Sequence, residues 1–214
     1  MQQAVVDCLV LDRIPKLLAN PKRNIRKDAY WLLSNIAAGT RKQIHVLVSK
    51  PQIVVQIVTA MKNSEWEVRK EAIWVAYNIT TGGNDHHVQA LVHFGAIEAL
   101  CSMLHVPDTK VLNLVLDTLE NILKVGERQG KAFDCLVDEA DGIDKLEDLQ
   151  KHESDAIFQK AVAIIEKYFQ GEEVENENLA PVSHGNAFAF GATQKLFEDE
   201  DPANNGTQPP LFNF

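Results

Sequence analysis

Two tryptophans in this chain share a setting. Each stands three residues after an acid and four before an asparagine: Asp28, Trp31 and Asn35, then Glu71, Trp74 and Asn78. Trp and Asn offer no covalent chemistry, so the pattern speaks of binding. An asparagine amide carries one acceptor and two donors, which match a peptide's C=O and N–H whatever its side chains are. An indole face takes the aliphatic stem of Lys or Arg, with a cation–π contribution of about 0.5–2 kcal/mol. Asp28 and Glu71 are then placed to meet the charged ends. Together these residues predict a surface built to hold something.

Helices must hold them. The stretches NIRKDAYWLLSNIAAG (24–39) and EVRKEAIWVAYNITTG (67–82) each carry an apolar stripe at helical spacing. The stripes are Ile25, Ala29, Leu32, Leu33 and Ile36, then Val68, Ala72, Val75, Ala76 and Ile79. Tryptophan, asparagine and acid lie off the stripe in both. An outward Trp can instead pack on a neighbouring helix and an isolated Asn can simply be solvated, but the repetition argues against coincidence. Lys27 and Lys70 flank the same face and are expected to ion-pair with neighbouring acids.

The interval between the two sets is 43 residues, and Asn121 extends the asparagine series by the same step. In that frame Asp117 replaces the third tryptophan, and Lys160 and Ile164 take the fourth pair of outward positions. A period of about 40–47 residues belongs to helical repeats of two or three helices. Helices are expected over 2–10, 12–18 and 25–38, then 41–48, 52–61 and 65–80, then 85–93, 96–104 and 109–124, and finally 131–139, 143–150 and 155–169. Expected N-terminal signals are Ser49 before Lys50 and Pro51, a Ser64/Glu67 capping box, Asp108 and Ser154. Gly39, Gly82, Gly126 and Gly171 are expected to close the long helices as left-handed caps. No stretch shows sustained strand alternation. The fold class is therefore an all-α solenoid of about four three-helix repeats, divided near 1–39, 40–82, 83–126 and 127–170, with one continuous core. The fourth repeat reads as a polar cap. The first has no cap before it, so the chain is expected to be part of a longer array.

Residues 171–214 change character, with Glu172, Glu173, Glu175, Glu177 and the acidic run 198–201 among Pro and Gly. They are expected to form a disordered acidic tail. Phe188 with Phe190, and the terminal Leu211, Phe212 and Phe214, are candidate but weakly used docking elements. The net charge of -9 disfavours nucleic acid and favours basic partners. No apolar run is long enough to span a membrane, and the first ten residues lack signal-peptide features, so an intracellular protein is expected. Cys8, Cys101 and Cys135 lie in apolar patterns and are expected to be buried free thiols. His86, His87 and His93 have no metal-ligand spacing, GERQGK (126–131) lacks that of a phosphate loop, and no nucleophile has a recognisable base. No enzyme activity, cofactor or metal is expected; stoichiometric metal would revive a hydrolase reading.

The three-helix units of about 43 residues, the W-x-x-x-N helices and the acidic tail ending in FNF resemble the importin-α family. The segments WLLSNIAAG, WVAYNITTGG, LVHFGAIEALCSML, LENILKVGE and LQKHESDAIFQKAVAIIEKYF carry the likeness over nearly the whole chain. The resemblance implies a right-handed armadillo solenoid corresponding to that family's C-terminal repeats, and a nuclear import adaptor that binds Lys/Arg-rich nuclear localisation signals at a minor groove. It implies peptide-binding roles for Trp31, Asn35, Trp74, Asn78 and Asn121, for Glu71 as the acid facing a cargo arginine, and more weakly for Ser34 and Asp28. It further implies that the acidic fourth repeat docks the recycling exportin and certain nucleoporins, and that the protein shuttles between nucleus and cytoplasm. The family's N-terminal basic segment and major-groove repeats have no counterpart in this sequence, so importin-β is not expected to bind the chain directly. The remaining alternatives are a generic armadillo scaffold and a truncated, non-transporting cargo sink.

Overall fold

The computed structural model describes residues 10–170 and two short strands, Val182–His184 and Ala187–Ala189. Residues Met1–Gly171 and Glu172–Phe214 form separate compact units. The described helices of the first unit are α1 Val10–Leu18, α2 Arg23–Ala37, α3 Arg41–Val48, α4 Pro51–Asn63, α5 Trp66–Gly82, α6 Asp85–His93, α7 Ala96–Cys101, α8 Thr109–Gln129, α9 Phe133–Asp138, α10 Gly142–Leu149 and α11 Asp155–Tyr168.

The long helices α2, α5, α8 and α11 pack one against the next. Helices α1, α4, α7 and α10 make a second row, and α3 packs on α6. Each helix buries a stripe against its own unit and the next, so a single hydrophobic cluster runs from Leu11 to Ile165. Full burial of one such side chain is worth about 1.5–3 kcal/mol. The architecture is the all-α solenoid read from the sequence.

On α5 the stripe is Val68, Ala72, Val75, Ala76 and Ile79, all buried, with Ile73 beside them. On α2 the buried face is rotated. Ala29, Leu33 and Ile36 are inside, but Ile25 is exposed, Leu32 is half-buried, and Tyr30 and Ser34 turn inward. Tyr30 can enter because its hydroxyl donates to the Gln56 carbonyl on α4 at 2.9 Å. Ile164, expected to face outward, is also buried.

The helix ends correct several expectations. Asp108 does cap α8, accepting from the N–H groups of Lys110 and Val111 at 3.1 and 3.2 Å. Ser64 makes no capping box: Glu65 flanks α5 without a side-chain cap bond, and Ser154 makes none at α11. Ser49 turns its hydroxyl back to the Val46 carbonyl, and Pro51 opens α4. The capping boxes are Thr40 with Gln43 and Asn84 with His87. Among the described glycines only Gly95 and Gly130 have positive φ, so Gly39, Gly82 and Gly126 are not left-handed caps. Helix α8 runs through Gly126, where a Cβ would come within 2.9 Å of Phe133, and ends at Gly130 with φ 59°. Smallness rather than backbone freedom is what Gly126 supplies. Gly171 lies outside the described residues.

Cys101 is a buried free thiol, its pKa pushed up to about 11 by burial. Cys135 is exposed, against expectation, because the short helix α9 turns only Phe133 and Val137 inward. Cys8 lies outside the described residues. Val182–His184 and Ala187–Ala189 pair antiparallel, with His184 opposite Ala187. This hairpin was not expected; the two residues between its strands are Gly185 and Asn186, types that favour a two-residue connection. The rest of the expected tail, with its terminal Leu and Phe residues, lies outside the described residues. Among those described, no single helix is long and apolar enough to cross a membrane.

Candidate functional site

The eight residues singled out in the sequence lie on three successive long helices. Helix α2 carries Asp28, Trp31, Ser34 and Asn35; α5 carries Glu71, Trp74 and Asn78; α8 carries Asn121. Because α5 packs between α2 and α8, the three sets form neighbouring rungs. Trp31 is 57% exposed and Trp74 43%, while most of the other large apolar residues of the three helices are buried. Trp74 packs on Tyr77, the rings meeting T-shaped at 5.8 Å. Trp66, by contrast, is half-buried against the core, as inter-repeat packing would have it.

The asparagines are less idle than exposed amides would be. Asn78 donates its side-chain N–H to the Ser34 carbonyl on α2 at 2.9 Å. Asn121 approaches the hydroxyl oxygens of Thr80 and Thr81 on α5 at 3.4 Å each. Each amide thus reaches back one repeat and ties two rungs together. Asn35 donates to the Trp31 carbonyl within its own helix at 2.8 Å. Ser34 is buried, and its hydroxyl donates to the same Trp31 carbonyl at 2.8 Å. Its contribution to the site is therefore its carbonyl, which holds Asn78.

Glu71 is half-buried, and burial raises its pKa above that of an ordinary glutamate. Lys27 and Lys70 oppose that rise, while Glu67 and Asp28 add to it. Lys70 is drawn aside: its amine lies 3.2 Å from Glu67 and 5.7 Å from the Trp66 ring centre. Lys27 acts on Glu71 only through its field, with no ion pair among the described residues. A half-buried carboxylate on a helix that also exposes an indole can receive a cation whose stem lies against that tryptophan.

The ladder changes at its third rung. Asp117 of α8 stands where tryptophan would, and its carboxylate is paired with Lys160 of α11 at 2.5 Å. The fourth rung has that lysine and the buried Ile164. The sequence frame put Asp117 and Lys160 at corresponding positions without pairing them, although corresponding residues of adjacent repeats are the ones a solenoid brings together.

A second exposed region lies on the shorter helices. Asp138, Glu139, Asp141, Asp144, Glu147 and Asp148 are all exposed, and a surface cleft of about 460 Å³ opens among Lys62, Glu98, Leu136, Glu139, Asp141 and Lys145. The three histidines do not converge. His87 is buried and faces His45 rather than His86 or His93, with Nδ1 of His45 3.3 Å from Nε2 of His87. Among the described residues no group of three or more His, Cys, Asp or Glu is arranged to hold a metal.

Comparison with known proteins agrees with the fold. Residues 84–124 match the family described as Armadillo/beta-catenin-like repeat, and residues 133–182 match Atypical Arm repeat. Importin subunit alpha-4 of Arabidopsis thaliana is 41% identical over 186 residues, covering 82% of this chain and 34% of that protein. Importin subunit alpha-1a of Oryza sativa subsp. japonica is 36% identical over 199 residues, covering 88% of this chain and 38% of that protein. The chain thus spans little more than a third of the length of these relatives. Among solved structures, a designed armadillo repeat protein in complex with the peptide (KR)4 superposes with a TM-score of 0.66 at 27% identity, over 77% of this chain and 66% of that one. With its helical rows, matched repeats and relatives in hand, the chain belongs to the armadillo-repeat family and over most of its length is a homologue of the importin-α subunits.

Proposed function

We propose that this chain is a nuclear import adaptor module, and not an enzyme, which holds Lys/Arg-rich nuclear localisation signals in extended form along the rungs of α2, α5 and α8. The observation that carries the reading is the pair of exposed indoles, Trp31 and Trp74, repeated one unit apart, with the half-buried Glu71 on the same helix as Trp74. Packed helices stand about 8–10 Å apart and an extended peptide advances about 3.3 Å per residue, so successive rungs meet every third peptide residue or so. Trp31 and Trp74 take lysine or arginine stems, and Glu71 receives the charged end, with Asp28 as a second acid. With one Asn78 N–H committed to Ser34, its amide oxygen serves best as an acceptor for a peptide N–H. Asn35 and Asn121 act likewise on their rungs. The designed armadillo protein bound to (KR)4 supports a basic peptide as the occupant.

The repeats are proposed to divide at 1–39, 40–82, 83–126 and 127–170, with 171–214 as a tail. The exposed acids of α9 and α10 are proposed as the face for the recycling exportin, with certain nucleoporins as further partners, and the protein as one that shuttles between nucleus and cytoplasm. The test of the groove is an anisotropy titration of a labelled Lys/Arg-rich signal peptide, across a salt series, against the chain and its Trp74→Ala variant. Salt-sensitive binding that the variant weakens places the peptide on the rungs. Equal binding by both proteins means that net negative charge alone attracts the peptide, and the groove assignment goes.

A further inference from the structure

Resting on that reading, we propose that Asp117 is a third subsite for a basic side chain, kept filled by the chain's own Lys160, and that this internal ion pair ends the groove after two cation anchors. Three observations meet here. Asp117 and Lys160 occupy the positions that Trp31 and Trp74 hold in the first two repeats, each 43 residues from the last. The Lys160 amine lies 2.5 Å from the Asp117 carboxylate, on adjacent helices α11 and α8. Both side chains are only about one-third exposed, at 36% and 33%, so the pair sits partly out of water.

The arrangement copies in cis what the first rungs offer in trans. A lysine ammonium reaches a half-buried carboxylate along the row of long helices, one rung beyond Trp74 and Asn78. A peptide whose basic residues run past the second rung therefore meets a like charge in front of an acid already satisfied. The remainder of the third rung, Asn121, still holds its amide toward α5 and can take peptide backbone. The third rung thus grips main chain without rewarding a third basic side chain. Lys160 sets how many cations the ligand should carry and where the register stops. Removing it uncovers an acid rather than a bare surface.

A second ion pair between the same two helices supplies the control. Lys167 of α11 meets Glu127 of α8 at 3.0 Å, and its removal changes net charge and cross-repeat pairing in the same way without touching the ladder.

The experiment titrates three labelled peptides, one with two basic residues and two carrying a third basic residue three positions beyond either end. The proteins are the full chain and its Lys160→Ala, Lys160→Gln, Lys167→Ala and Asp117→Ala/Lys160→Ala variants. The unaltered chain is expected to bind all three peptides within about twofold of one another. Lys160→Ala and Lys160→Gln are expected to favour one of the two longer peptides by about fivefold or more. That preference should vanish in the double variant and be absent in Lys167→Ala. If both Lys160 variants bind the three peptides alike while the unaltered chain still binds the short one, the internal stop is wrong and the groove survives. An equal gain from Lys167→Ala overturns it too, since net charge would then suffice. If the unaltered chain fails to bind any of the peptides, the groove reading falls and takes this one with it.

Discussion

The first two rungs and the last two are built on the corresponding long helix of each repeat and end differently. Trp31 with Asn35 and Trp74 with Asn78 leave an indole exposed at each rung. Asp117 with Asn121 and Lys160 with Ile164 close the same positions with an ion pair and a buried isoleucine. Backbone and core are shared, so the difference teaches that the solenoid supplies only spacing. In the proposed reading, the side chains at these two positions of each long helix decide which repeats take a ligand.

That contrast is broken most severely at its strongest point. Trp74→Ala should weaken a basic signal peptide by about 1–3 kcal/mol, the range expected of an aromatic anchor, while Trp66→Ala should leave peptide affinity within twofold. Affinity from titration, with thermal melts to show that both variants fold, checks this. An equal loss from both would erase the distinction between ladder and packing tryptophans. Asn78→Ala comes next. It removes a bond to the Ser34 carbonyl, so it should cost about 1 kcal/mol of stability by chemical denaturation as well as lowering peptide affinity. Asn35→Ala, which loses a bond to the Trp31 carbonyl of its own helix, should weaken peptide binding as well.

The third effect is one of pH. Burial raises the pKa of Glu71 in the free protein, and a bound cation would lower it again. The attraction is then fully present above the raised free-state pKa and fades as pH falls through it. Peptide affinity should therefore drop at a higher pH than an ordinary glutamate would dictate, and Glu71→Gln should bind more weakly at neutral pH with a flatter profile.

The smallest effect lies off the ladder. The Asn84 N–H donates to Nδ1 of His87, so the neutral ring carries its proton on Nε2 and points it at Nδ1 of His45. Burial first, then His45, Arg41 and His86, depress the pKa of His87. Asp85, next along α6, is already held by Arg128 and Gln129 of α8. Since the folded pKa lies below the unfolded value of about 6.5, this contribution to stability is complete above that pH and is lost as pH falls toward the folded value. The fall in melting temperature between pH 7.5 and about pH 5.5 should be smaller in His87→Gln, which keeps a glutamine at the capping-box position.

Much of this was legible in the sequence because a repeat states its rule more than once. The stripe on α5 and the long-helix frame followed from side-chain period alone. The α2 stripe departs from helical period around Tyr30, since period treats a tyrosine as polar or apolar without knowing that the Gln56 carbonyl waits for its hydroxyl. Thr40 and Gln43 carry the capping-box spacing and use it, while Ser64 and Glu67 carry it and do not. A cap motif states a capacity, and the chain's entry angle decides whether it is used. The role of Gly126 was hidden for a similar reason: nothing local to α8 reveals that Phe133 returns to lie against it.

The amide of Asn78 leaves one more consequence. It is a fastener between two repeats and, in the proposed reading, also a handle offered to a ligand, so gripping and stacking would use the same few atoms. A peptide drawn onto that handle would resist the sliding of α5 along α2. Amide protons at this seam should then exchange with solvent more slowly when the groove is filled, and occupancy could be read from the slowing of a clock set by the backbone.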